Sequence, residues 1–315
     1  MKNKNMGTGL MLAVGWLLAL GVHSAAGQEE PAHPRKALLW KVEGPKLGAV
    51  SYLFGTIHLG VAPVDRLHPA AQKAFDGADA LYTEVSMNPE DQLKVATMII
   101  RTDKKTLEQS IGEKLSAELD AELKAINPAL DAAPLQTLKT WGIGVTLPML
   151  PLQLQGGKAL DQILWDKAVA AGKPTSGLEL AKDQVAIFDE LTEAEQVIFL
   201  AETMRQLRAD RAAGRDSTGE LVAAYAAGDP AKVQALIERS LRELSESEHK
   251  ELGARLIKRL LADRDQSMAA TIDGHLRANP DKCHFFAAGA GHFVGPASIP
   301  QHLEKLGYTV TLVPE

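Results

Sequence analysis

Hydrophobic positions along the 315-residue chain change period twice, and those changes predict its architecture. Near the start, Ala37 to Val42 and Val50 to Phe54 are short apolar and aromatic runs, as strands require. They flank Glu43-Gly44-Pro45-Lys46-Leu47-Gly48, which has the composition of a hairpin loop. A helix is expected over Pro69 to Asp76, and Asp79 to Val85 alternates as a third strand ending at Glu84. From about 89 to 281 the period becomes helical, over Glu90 to Arg101, Glu113 to Ile126, Leu160 to Ala171, Ala194 to Ala213, Asp229 to Leu244 and Ser247 to Ala278. Gly172-Lys173-Pro174-Thr175-Ser176-Gly177-Leu178-Glu179 interrupts these helices as a short strand or turn. Strand character returns at Cys283 to Ala288 and Tyr308 to Val313, around a helix over Pro300 to Leu306. Strands at both ends with helices between them predict an α+β fold. Its mixed central β-sheet is formed by N- and C-terminal strands, with a large helical middle packed on it.

The first residues read as an address. Lys2 and Lys4 precede an apolar run from Leu10 to Val22 and a small-residue exit at Ser24-Ala25-Ala26-Gly27. A run of about 13 residues is too short for a spanning helix, which needs about 20. Residues 1–27 are therefore expected to be a cleaved secretory signal, 28–36 a short polar linker, and 37–315 a single domain. No cysteine stands at the exit to carry a bacterial lipid anchor, so the mature chain is expected to be periplasmic or secreted and not membrane-spanning. The composition, 45% hydrophobic and 23% charged, is that of a globular protein. A net charge of −6 offers no basic field for nucleic acid. A single cysteine, Cys283, excludes an internal disulfide framework and all-cysteine metal sites, which leaves histidine and carboxylate as metal ligands.

One element occurs twice: Tyr52-Leu53-Phe54-Gly55-Thr56-Ile57-His58-Leu59-Gly60 and Phe285-Phe286-Ala287-Ala288-Gly289-Ala290-Gly291-His292-Phe293-Val294-Gly295. Each reads as an aromatic strand, Gly-x-x-His, an apolar residue and a closing glycine. Gly55 and Gly289 permit a sharp turn at a strand end, and His58 and His292 project from loops held by a rigid sheet. Two such loops side by side bring two imidazoles together, and a carboxylate would complete a metal site open to water. Glu84 is the first candidate, because an acid ending a buried strand is costly unless a cation compensates it. Glu179 is the second, as general base, as a further ligand, or as a charge at the N-terminus of the following helix.

Leu256, Leu260, Arg264, Met268 and Ile272 recur every four residues as one apolar stripe that an arginine interrupts. Arg264 is read either as a snorkelling or structurally paired side chain, or as a guanidinium that holds an active-site carboxylate or an oxyanion. Asp265 beside it is either its polar support or solvated. Cys283 is read as a small buried hydrophobe, and His68, His249, His275 and His302 as surface residues.

The twin Gly-x-x-His segments, Trp40 ahead of the first, Gly177-Leu178-Glu179 in the middle and the closing Leu303-Glu304-Lys305-Leu306-Gly307-Tyr308-Thr309-Val310 together resemble the TraB/GumN family over about Leu38 to Val313. That family is similar to the Tiki-type metalloproteases and, more distantly, to the erythromycin esterase and ChaN group. The resemblance implies a metal-dependent hydrolase fold with His58 and His292 as the paired histidines, Glu84 as the acidic residue after the third strand, and Glu179 with Gln184 as the middle motif. Family members often carry Arg-Asn in the long helix, where this chain has Arg264-Asp265.

Together these readings predict an exported, peptidase-like hydrolase acting on a peptide or protein. His58, Glu84 and His292 hold Mn²⁺, Co²⁺ or Zn²⁺, Glu179 moves a proton, and Arg264 orients a carboxylate or oxyanion. The alternatives are a non-catalytic periplasmic binding protein for a short peptide or haem, using the same cleft, and a scaffold that docks a partner on its helices. The apolar helix stripes leave the oligomeric state open.

Overall fold

A computed structural model describes residues 33–245 and 249–314. The segment read as a signal, and the linker up to residue 32, lie outside the described residues. The fold is α+β, as expected. Strands β1 (Leu39–Glu43) and β2 (Ser51–Thr56) form the hairpin, with Leu39 opposite Phe54. Helix α1 (Pro69–Gly77) starts with proline in its first turn, and His68 caps it by accepting from the N–H of Ala70 at 3.2 Å. Strand β3 (Ala80–Thr83) follows, then α2 (Pro89–Met98), α3 (Leu107–Ile126), α4 (Thr140–Thr146), α5 (Leu150–Gln153) and α6 (Leu160–Ala170). After β4 (Thr175–Gly177) come α7 (Ala181–Asp189), α8 (Glu193–Ala212), α9 (Ser217–Ala227), α10 (Pro230–Ser245), α11 (Lys250–Ile257) and α12 (Asp263–Ala278). Strand β5 (His284–Gly289), α13 (Ile299–Lys305) and β6 (Thr309–Leu312) close the chain.

The sheet runs β4-β3-β5-β2-β1-β6. Strands β4, β3, β5 and β2 are parallel, while β1 pairs antiparallel with both β2 and β6. Because successive side chains on a strand point to opposite faces, the neighbours Phe285 and Phe286 enter different cores. Phe286 joins Leu53 and Tyr82 under Tyr225, Val233, Met268 and Ile272 of α9, α10 and α12. Phe285 joins Phe54 and Leu81 under Phe75 of α1 and Leu164 and Trp165 of α6. Both phenylalanines are wholly buried, each contributing roughly 1.5–3 kcal/mol of hydrophobic stabilisation.

The helical middle only partly packs on the sheet. Helices α3, α4, α7, α8 and α11 form a third core of their own around Trp141, Leu119 and Leu200. Helix α3 begins six residues before the expected Glu113, because Thr106 and Gln109 form a capping box and Gly112, at φ 79°, carries the chain through a kink. The helix expected over Ser247 to Ala278 is α11 and α12 joined by a π-helical turn, Lys258–Ala262. Leu256 and Leu260 therefore pack into the helical core while Met268 and Ile272 pack over the sheet, and Arg264 falls between the two. Two minor readings change as well. Cys283 is half-buried rather than buried, and His275 is not a surface residue but stacks on Tyr82 with centroids 4.1 Å apart.

Candidate functional site

The C-terminal ends of parallel strands share one edge of the sheet, and both Gly-x-x-His segments leave from it. Register places Gly55 beside Ala288 and Thr56 beside Gly289, so the two loops start side by side although 233 residues separate Ser51 from His284. On the other flank of β5, β3 delivers Glu84. The chain continues the pairing beyond β4, with the N–H of Leu178 donating to the carbonyl of Thr83 and that of Glu179 to the carbonyl of Glu84. This sets Glu179 next to Glu84. A Cβ at Gly177 would lie 2.7 Å from the backbone nitrogen of Ser86, so glycine permits that approach.

Glu84 is the hub. Its Oε2 accepts from the backbone N–H of Gly289 at 3.0 Å and lies 3.4 Å from Nε2 of His58 and 3.8 Å from Nε2 of His292. Its Oε1 accepts from Gln184 at 2.5 Å and from Nη2 of Arg264. Arg264 also donates to Glu179 through Nε at 3.0 Å and Nη2 at 2.5 Å, and its Nη1 donates to the carbonyl of Leu260 at 3.1 Å. Gln184 bridges the two glutamates, reaching Glu179 at 2.9 Å. The structure thus brings together His58, Glu84, Glu179, Arg264 and His292, with Gly55 and Gly289 at the turns. Both structural senses of the Arg264 reading coexist, since it is paired with a buried glutamate and it holds two carboxylates.

Behind each imidazole stands an aspartate. Asp161, wholly buried on the first turn of α6, accepts from Oγ1 of Thr56 at 2.7 Å and lies 3.1 Å from Nδ1 of His58. Asp265 lies 2.5 Å from Nδ1 of His292. Each Nδ1 faces its aspartate and each Nε2 faces Glu84, and a carboxylate that accepts at Nδ1 selects the tautomer with its hydrogen there. Asp161 is the residue that sequence reasoning missed. Its signal was the one that exposed Arg264: it shares the buried face of α6 with Leu164, Trp165 and Ala168. The loop leading into α6 and the loop bearing His58 meet backbone to backbone, where a Cβ on Gly157 would stand 1.7 Å from the carbonyl oxygen of Gly60.

Burial disfavours charge on His58, but the charge and hydrogen bond of Asp161, with Glu84 beyond, hold its pKa well above the usual histidine value. Burial also opposes charge on Glu84, yet Arg264, then His292 and His58, hold it well below the usual carboxylate range. Burial pushes Asp265 up despite the pull of His292. Glu84 and Glu179 thus share the guanidinium of Arg264, while Asp161 and Asp265 lie against the two imidazoles.

Among the described residues, no three His, Cys, Asp or Glu side chains form a ready metal cage. The donor set around Glu84 nonetheless fits a divalent ion. Two donors about 2.1 Å from one tetrahedral ion are about 3.4 Å apart, close to the spacings at Oε2. Both imidazoles present Nε2, and the carboxylate excess suits a cation. His58, 31% exposed where Glu84 is 9% and His292 6%, opens onto a cavity of about 350 Å³.

Paired Gly-x-x-His loops over buried glutamates at the end of a mixed sheet define a class of α+β proteins. The chain belongs to the TraB/PrgY/gumN family, whose sequence profile matches residues 38–312. It is 24% identical to Metalloprotease TIKI2 of Danio rerio, over 88% of this chain and 61% of that protein. It is also 24% identical to the Metalloprotease TIKI homolog of Nematostella vectensis, over 88% and 67% respectively. Its identity to Metalloprotease TIKI1 of Homo sapiens is 25%, over 54% and 36%. The chain spans about three-fifths of the length of the Danio rerio TIKI2 it matches. No solved structure matches it significantly.

Proposed function

We propose that the chain is an exported, metal-dependent hydrolase of peptidase type acting on a peptide or protein. The observation that carries this reading is the convergence of two aspartate-backed Nε2 atoms on one oxygen of Glu84. Similarity to proteins named metalloproteases supports the reaction class. His58, Glu84 and His292 are the ligands of Mn²⁺, Co²⁺ or Zn²⁺, and such an ion supplies Lewis acidity at the site. Asp161 and Asp265 hold the two rings in the tautomer that ligation requires. Arg264 fixes Glu84 through Oε1, which turns Oε2 toward the imidazoles, and it holds Glu179 within reach of the same space. Oε1 of Glu179 is shared by Arg264 and Gln184, while among the described residues Oε2 is bonded only by Nε of Arg264, at 3.2 Å. Oε2 is therefore the atom that accepts and returns a proton. Arg264 acts through these two carboxylates as a positioning residue. Residues 1–27 direct export to the periplasm or beyond, and no helix among the described residues is long and apolar enough to cross a membrane.

The test is metal stoichiometry, by plasma mass spectrometry, on protein purified without chelator, beside His58→Ala and His292→Ala. The expected result is about one transition ion per chain, lost in both variants, with peptide cleavage lost alongside it. An ion retained at full occupancy by both variants, or no ion taken up from Mn²⁺, Co²⁺ or Zn²⁺, sinks the proposal.

A further inference from the structure

The cavity beside His58 has a lining whose chemistry selects its occupant. Leu59, Val145, Met149, Leu221, Val233 and Ile237 supply most of its wall, and His58 is the only lining side chain able to carry a charge. Three other polar side chains on the wall direct their hydroxyls into the protein. Thr56 donates to Asp161 at 2.7 Å, Thr146 to the carbonyl of Gly142 at 2.8 Å, and Tyr225 to the carbonyl of Gly55 at 2.7 Å. What remains toward the space is mostly hydrocarbon. The volume, about 350 Å³, lies at the small end of ligand pockets, which suits a single residue rather than a long segment.

We propose that this cavity receives one large apolar side chain of a peptide substrate, such as leucine, methionine or phenylalanine. The inference rests on the hydrolase reading for the nature of its substrate. The cavity reaches the strand end through Thr56, His58 and Gly289, so a side chain seated in it carries its own backbone to the edge of the Glu84 cluster. A charged or strongly polar side chain would meet no partner on the wall and is rejected by its desolvation cost. The site thereby selects residues by size and apolarity next to the bond it acts on, and Val145 of α4 and Ile237 of α10 set the limit of that size from two walls.

The experiment uses the metal-loaded chain and two small probes, N-acetyl-leucinamide and N-acetyl-glycinamide, with binding followed by ligand-observed NMR. In parallel, a peptide mixture varied at one central position is digested and read by mass spectrometry. Burying a leucine side chain predicts a roughly 10- to 100-fold tighter leucine probe. Val145→Phe and Ile237→Phe, each filling the cavity from its own wall, should abolish that margin while metal content and thermal unfolding stay unchanged. Equal binding of the two probes, or a filled variant that keeps the margin, overturns the subsite. A clear leucine margin with no peptide cleaved leaves the subsite standing and removes the hydrolase reading. Cleavage indifferent to apolar residues does the reverse.

Discussion

Replacing Gly289 by alanine tests the geometry at its tightest point. Gly289 has φ near −52°, which alanine adopts without strain, so the substitution probes space alone. The added Cβ would stand 2.7 Å from Nε2 of His58 and 3.5 Å from Oε2 of Glu84. Ordinary contact begins near 3.4 Å, so ring and backbone must part by about 0.7 Å. The ring cannot simply retreat, because Asp161 stands 3.1 Å behind Nδ1. It must tilt, which breaks that hydrogen bond and swings Nε2 off its line to Glu84. Misplacing a ligand and its support on this scale should weaken metal binding on the order of 100-fold, about 2.7 kcal/mol. The overpacking itself should cost about 1–3 kcal/mol of stability, a shift of a few degrees in Tm. The assay is a competition titration with a chromophoric chelator, beside thermal unfolding in chelator. Gly291→Ala is the control: its Cβ meets Cδ1 of Ile237 at 3.2 Å, a flexible side-chain end that can yield, so affinity should stay within threefold. A folded Gly289→Ala protein that binds metal within threefold of the unaltered chain would refute the reasoning.

Three further outcomes follow from the same contacts. Asp161→Asn should lower metal affinity about 10- to 100-fold with the fold retained, because an amide keeps only one of the two acceptor oxygens that Thr56 and His58 use and none of the charge; an unchanged dissociation constant excludes that role. Arg264→Met leaves Glu84 and Glu179 buried without their shared guanidinium and should cost about 3–5 kcal/mol in urea unfolding of the metal-free protein. A loss below about 1 kcal/mol would show the cluster to be solvated instead. Since the metal-free chain keeps His58 protonated well above the usual histidine range, an incoming ion must displace that proton. Affinity should then rise about tenfold per pH unit until the raised pKa is passed and level off beyond it; calorimetry in buffers of different ionisation heat should find about one proton released, and a pH-independent affinity would contradict this.

The sequence exposed what depends on local pattern. The β1–β2 hairpin follows from a turn between two apolar runs, and the pairing of the Gly-x-x-His loops from a motif printed twice. Arg264 and Glu84 stood out as charges on apolar stripes. Asp161 carried the same mark on α6, but an aspartate on the first turn of a helix is also favoured by the helix dipole, so the pattern alone does not single it out. Helices α4, α5, α7 and α9 were not placed individually within the helical stretch, and α4, α5 and α7 have no side-chain cap at the N-terminus to mark a start. The π-helical turn after α11 was illegible for a different reason. A single apolar stripe continues through it in sequence, and only the presence of two separate cores reveals that the stripe changes sides at Arg264. Strand order lay beyond local pattern altogether, since β5 takes its place between β2 and β3 through contacts across most of the chain.

The position of β5 also governs when the site can come into being. A ribosome delivers β2 and β3 early, each with a bare edge, and they must wait for a strand that emerges some 233 residues after the first of them. Pairings so distant in sequence make folding slow, and the waiting edges invite association with other chains. The imidazoles and glutamates therefore meet only after synthesis has passed residue 289, so a chain cut short before β5 has neither a continuous sheet nor a site. A protein arranged in this way acquires its site only in the final insertion step, and under the export proposed above that step would follow passage of the chain as an extended thread.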